Sequence, residues 1–216
     1  MEPDKTEEES SDAQSCHELL LCLAGRLPDR LLWRFRDWLG EGALSVIAQI
    51  LPGVLLKHGI DLEPREHGLL VAALASQGAD PQLMNSLLGA HASLTQGYVF
   101  SRGAPEWLSS ANLVSGLVHA TMRGRPGVGQ VRETWRRGLA ADQGEAKRVL
   151  LVIAVADLPR LTGELQRVMR VLGEQEPNVE VIEPQCDLLP YHLAALENSE
   201  LVCLGAEDIG HQLVAA

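Results

Sequence analysis

Aromatic side chains are scarce in this chain: two Phe, two Tyr and four Trp among 216 residues. A surface that stacks nucleic-acid bases needs several exposed rings on adjacent strands, and so small a supply argues against one. The same shortage leaves core building to Leu, Val and Ala. Basic charge is also short, with 18 Lys and Arg against 29 Asp and Glu, a net charge of −11. Nucleic-acid binders neutralise phosphates with Lys and Arg, and anionic membrane surfaces attract the same residues, so the balance argues against both partners.

No window approaches the 18 or so uninterrupted apolar residues of a membrane span. The start, Met1-Glu2-Pro3-Asp4 followed by Glu7, Glu8 and Glu9, has neither the basic region nor the apolar run of a secretory leader. A cytoplasmic protein without membrane contact is expected. Four cysteines, Cys16, Cys22, Cys186 and Cys203, read as reduced thiols in that setting. The abundance of Leu, Ala, Arg and Gly leads to the expectation of a GC-rich bacterial source.

Hydrophobic rhythm divides what remains. Residues 1–14 form an acidic leader, polar and aperiodic at its start, and are expected to be disordered. From Ser15 to Arg26 the residues Leu19, Leu20 and Leu23 mark a helix. Leu31, Leu32, Phe35, Trp38 and Leu39 mark a second, Ala43 to Lys57 a third that Pro52-Gly53 should kink or split, and Leu69, Leu70, Ala73 and Leu74 a fourth. Asp80-Pro81 is a cap with proline in the first turn and opens a fifth. Residues 15–92 are therefore read as an all-α helical domain.

The rhythm changes near position 96. Tyr98-Val99-Phe100 is a short β-rich run, Trp107 to Met122 a helix, and Val128 to Arg136 a strand whose Glu133 interrupts the alternation. Val149 to Val155 is an unbroken apolar run, the signature of a strand buried on both faces. After the cap Asp157, the residues Leu158, Leu161, Leu165, Val168 and Leu172 define an amphipathic helix, and Val179 to Ile182 a further strand. The order is that of a ferredoxin-like (βαββαβ) domain over 96–216. A C-terminal extension adds a helix, Pro190 to Glu197, and a strand, Leu201 to Leu204, which would cover the sheet or lie at its edge. The fold class is α+β.

Chemistry-bearing motifs are few. Arg123-Gly124-Arg125-Pro126-Gly127-Val128-Gly129 holds the ingredients of an anion cradle, but it lacks the phosphate-loop lysine pattern and precedes a strand instead of opening a helix. Arg123, Arg125, Arg132, Arg136, Arg137, Lys147 and Arg148 make the one basic cluster, with Arg132 and Arg136 on a common strand face. Trp33 and Arg34 belong to a Trp-Arg-Phe-Arg-Asp-Trp segment of the kind enriched at binding hot spots; the alternative places Phe35 and Trp38 in the core with Trp33 at its rim. Trp33, Arg34, Arg123, Arg125, Arg132 and Arg136 are thus the candidates for contact with a partner or an anion. Cys186, His192, Cys203 and His211 have ligand chemistry without metal-site spacing, and no nucleophile-base motif stands out. No cofactor, metal or catalytic residue is assigned.

The expected function is a non-enzymatic protein-interaction or regulatory module, with a protein partner or a second copy joined through a sheet edge. One alternative is a transcriptional regulator with a DNA-binding helical domain and a C-terminal sensor, opposed by the seven basic and fourteen acidic side chains of residues 1–92. The other is a small enzyme whose Arg132 or Arg136 grips an anionic substrate.

Overall fold

A computed structural model describes residues 4–89, 97–104, 111–139, 146–155 and 157–208. The chain divides into two compact units, residues 1–95 and 96–216. Helices precede the sheet, and the class is mixed α+β.

The first unit contains α1 (Asp4–Cys22), α2 (Asp29–Gly40), α3 (Leu44–Lys57), α4 (Pro64–Leu74) and α5 (Pro81–Ser86). Its core is aliphatic: Leu19, Leu20 and Leu23 are buried together with Leu32, Ile47, Leu51, Leu55 and Leu70. Local chemistry fixes several helix starts. Glu63 and Glu66 form a capping box at α4, and the Asp80 carboxylate accepts the Gln82 amide at 2.8 Å to open α5.

Three expectations for this unit are corrected. The acidic leader is helical from Asp4 onward instead of disordered to residue 14. Its anchor is tertiary: Asp12 is buried and accepts hydrogen bonds from Ser76 Oγ at 2.6 Å and Gln77 Nε2 at 3.1 Å, just beyond α4. Pro52 neither ends nor divides α3, which runs unbroken from Leu44 to Lys57. In α2 the tryptophans exchange roles, Trp33 being buried and Trp38 half-buried, and the neighbouring Arg36 is buried with an Nη2 donor on the Leu20 carbonyl at 3.2 Å.

The second unit contains β1 (Tyr98–Ser101), α6 (Ala111–Met122), β2 (Val128–Gly138), β3 (Lys147–Ala154), α7 (Leu158–Val171), β4 (Asn178–Ile182), α8 (Pro190–Glu197) and β5 (Glu200–Leu204). The part of the sixth expected helix from Trp107 to residue 110 lies outside the described residues. β2 is the hub. One edge pairs antiparallel with β3 along nearly its whole length, and the other is shared end to end by two short antiparallel strands. β5 takes Gln130 to Glu133 and β1 takes Trp135 to Gly138. β3 then pairs in parallel with β4.

This topology corrects the ferredoxin-like expectation. A split βαβ keeps a strand between the two that each helix joins. Here β3 and β4, joined by α7, are direct neighbours, so that crossover is an unsplit βαβ unit, and β1 lies directly beside β2, the strand to which α6 connects it.

One sheet face packs on α6 and α7 through Val114, Val118, Met122, Leu150, Leu161 and Leu165. Asp157 caps α7 by accepting the Arg160 amide at 3.2 Å. The opposite face carries Thr134, Arg136, Val149, Leu151, Ile153 and Glu180, all buried, and α8 packs against β1, β2 and β3. β5 enters its place only because residue 205 is glycine: a Cβ there would sit 1.9 Å from the Val128 carbonyl oxygen.

Candidate functional site

Alternation along β2 puts Gln130, Arg132, Thr134 and Arg136 on the face that α8 approaches, while Val131, Glu133 and Trp135 point toward the α6 side. Glu133 interrupts the apolar pattern for a specific reason: it meets Arg148 and accepts from Ser115 Oγ at 2.7 Å. The Arg148 guanidinium also bonds Glu174 at 3.1 Å and lies 4.8 Å over the Trp135 ring. That cluster closes one end of the interior by neutralising a buried cation.

Arg132 and Arg136 do share one face, but their surroundings differ. The helix α8 ends with carbonyls that its own turns cannot satisfy. Arg102 Nη2 donates to Glu197 O at 2.9 Å, Thr134 Oγ1 to Asn198 O at 2.7 Å and Arg132 Nη2 to Ser199 O at 3.2 Å. Three consecutive carbonyls are thereby capped, two by cations at the negative end of the helix dipole. Burial pulls Arg132 below the usual guanidinium value, and Arg102 nearby adds to the effect.

Arg136 is buried in an aromatic cage. Its guanidinium lies 4.5 Å over the Tyr98 ring and donates to Tyr191 Oη at 2.9 Å, while Phe100 and His192 meet Tyr191 edge-on at 5.2 Å. Beneath α8, His192 Nε2 lies 3.1 Å from Glu180 Oε2, both residues buried. Neither the cage nor this pair was assigned from sequence. The available signal was Glu180 itself, a carboxylate inside the apolar run Val179-Glu180-Val181-Ile182.

The remaining sequence candidates are placed as follows. Arg125 holds Glu164 in a fork of two 2.7 Å bonds; this contact raises the Arg125 pKa and lowers that of Glu164. In the same glycine-rich turn the Gly127 amide donates to Glu207 Oε1 at 3.0 Å, so this donor, which the sequence offered to an external anion, serves a carboxylate of the chain. Arg123 is exposed at the turn, and Lys147 pairs with Glu176 at 2.6 Å. Arg34 is exposed and lies 5.5 Å over the largely buried Trp33 ring. The structure thus brings Arg132 and Arg136 onto one face and leaves Arg123, Arg125, Trp33 and Arg34 in separate settings.

The four cysteines are free thiols. Burial pushes Cys16 up to about 12 and Cys22 up to about 11, and raises Cys203 as well, which disfavours the thiolate a nucleophile requires. Among the described residues no group of three His, Cys, Asp or Glu side chains is placed to hold a metal, and no helix is long and apolar enough to cross a membrane.

One accessible apolar feature of this unit is its edge. Among the described residues β5 pairs with β2 alone. Leu201 and Leu204, opposite Arg132 and Gln130, are 51% and 60% exposed. On the other side of the sheet α6 packs on β5 and exposes Leu113 and Leu117, four residues apart. Comparison with protein-family models, curated proteins and solved structures finds no match to this chain in any of the three.

Proposed function

We propose that this protein is a non-enzymatic interaction module whose α/β unit takes an additional strand on the β5 edge, the occupant being a second copy of the chain. The observation carrying this reading is the side of β5 away from β2, which among the described residues pairs with no other strand and meets the Gly124 amide at the Leu204 carbonyl, with Leu201 and Leu204 exposed beside it. An unpaired strand edge offers a row of N–H and C=O groups to another strand, and apolar residues beside it favour pairing over solvation.

Self-complementarity favours a copy. A two-fold axis near Val202 would set Glu200 opposite Leu204 of the other copy, and the two glutamates, the sole charges of β5, would stand at opposite ends. The exposed leucines of α6 would extend the contact toward the area a stable interface requires. The polar groups of the α8 face support the non-enzymatic reading, because Arg132, Arg136, Thr134 and the Glu180–His192 pair are engaged in holding α8 and the sheet together.

Sedimentation of the full chain tests the proposal. The wild type is expected to sediment as a dimer and the Leu201→Lys, Leu204→Lys double variant as a folded monomer. A monomeric wild type, or a double variant that still dimerises, overturns it.

A further inference from the structure

Leu201 and Leu204 are three residues apart on β5, yet both lie opposite residues of one sheet face, Arg132 and Gln130. In a regular strand, residues three apart point to opposite faces. A β-bulge accounts for the difference. Val131 pairs with Cys203 and its neighbour Arg132 with Leu201, which leaves Val202 as an extra residue. Val202 and Cys203 both pack toward the α6 and α7 core, and the leucines on either side of them share the other face. The two leucines of this edge therefore stand together only in the bulged register.

A bulge interrupts the ladder, so the ladder alone does not select it. The two ends of β5 are held differently. Past its C-terminal end, the amides of Gly205, Ala206 and Glu207 donate to Gly129 O at 2.9 Å, Arg125 O at 3.0 Å and Val128 O at 2.9 Å. These backbone bonds fix the half of β5 that holds Cys203 and Leu204. At the N-terminal end side chains take over. Arg132 Nε donates to Ser199 Oγ at 2.7 Å and Arg132 Nη2 to Ser199 O at 3.2 Å, while Ser199 Oγ donates to Leu196 O at 2.6 Å in the last turn of α8. Ser199 is buried and directly precedes Glu200, the first residue of β5.

Without the bulge, Val202 would fall opposite Arg132 and Leu201 opposite Glu133. Leu201 would then turn to the α6 side, as a slip of one residue requires. Ser199 would move one residue along β2, away from the Arg132 guanidinium.

We infer that Arg132 is the positioning residue of the β5 edge: through Ser199 it holds the bulge at Val202 and so presents Leu201 and Leu204 together to the second copy, a role that rests on the proposed strand addition. The contact selects one register of a strand that could adopt two, and the exposed leucines follow from that register.

Thiol labelling tests the register. Leu201→Cys and Val202→Cys are made singly in the full chain, each with Arg132 and with Arg132→Met, and their reaction with a disulfide reagent is timed. Buried Cys16 and Cys22 report any global opening. Loss of two hydrogen bonds to a charged group is expected to speed Val202→Cys about tenfold and to slow Leu201→Cys, while Cys16 and Cys22 stay unlabelled. Should Arg132→Met open those two, Ser199→Ala carries the same comparison, with smaller changes of the same sign. Rates at 201 and 202 that move in the same direction, as fraying or dimer loss would produce, or that ignore Arg132, overturn the inference. In sedimentation, Arg132→Met with native Leu201 and Val202 is expected to raise the dimer dissociation constant about tenfold or more. A monomeric wild type overturns the strand addition alone, since the thiol rates still decide the register. Wild-type dimerisation that Arg132→Met leaves intact overturns the role of Arg132 in it.

Discussion

His192 on α8 and Glu180 on β4 meet at 3.1 Å inside the second unit, each almost without solvent exposure. This contact ties α8 to the strand farthest from β5, whereas the caps on Glu197, Asn198 and Ser199 hold the other end of the helix. His192→Leu removes one hydrogen-bonding partner of a buried carboxylate, for a loss of about 1–3 kcal/mol. Adding Glu180→Leu to that variant should cost less than the two single changes combined, since neither side chain then remains without the other. Urea denaturation of the four proteins in the cycle measures both quantities.

Gly205 and Gly53 should respond oppositely to alanine. At Gly205 the added carbon meets the Val128 backbone, and a loss of about 1–3 kcal/mol is expected from forced displacement of β5. At Gly53 the space is open, and alanine should stabilise the chain by about 0.5–1 kcal/mol. Thermal unfolding of the two variants distinguishes a glycine the fold requires from one it does not.

Thiol chemistry should separate the four cysteines. Cys186 is partly exposed, while Cys16, Cys22 and Cys203 are buried. A disulfide reagent added to native protein at neutral pH should modify Cys186 first and the other three only on unfolding. Because burial raises the Cys16 and Cys22 thiols above their ordinary value of 9.0, the folded state binds their protons more tightly than the unfolded state. That contribution is complete below pH 9.0 and declines as pH rises toward about 11 and about 12 for Cys22 and Cys16. Denaturation midpoints of the wild type and of Cys16→Ala should converge or cross over that alkaline interval.

The Arg125–Glu164 fork carries the opposite pH sign. Its contact with Arg125 holds Glu164 below the usual carboxylate range, so its stabilisation is present above the unfolded carboxylate value and is lost as pH falls through the folded one. Both side chains are about a third exposed, which limits the contribution to about 1 kcal/mol or less. Glu164→Gln should lose that amount near neutrality and match the wild type in acid, as read from urea midpoints across pH.

Local chemistry made much of this fold legible. Val149 to Val155 announced a doubly buried strand, Leu161 and Leu165 an amphipathic helix, and Asp80 and Asp157 two helix starts, because each signal depends on neighbours in sequence. Strand order was not legible in this way. Whether β3 adjoins β4 directly depends on how α7 returns across the sheet, and both topologies share one order of elements. Asp12 appeared to belong to a polar tail because its partners Ser76 and Gln77 lie more than sixty residues away. Arg132 and Arg136 resembled an anion grip because their actual partners, the end of α8 and two tyrosines, reach them only through the folded chain.

Amide hydrogen exchange across Glu200 to Leu204, followed as the full chain is diluted, tests the proposed strand addition most directly. Protection of those β5 amides that point away from β2 should fall on dilution in the wild type and stay low at every concentration in the Leu201→Lys, Leu204→Lys variant, with β3 and the β5 amides bonded to β2 protected throughout in both. Exchange in β5 that ignores concentration, or that is identical in the two proteins, would contradict the reading of this edge as the place where two copies join.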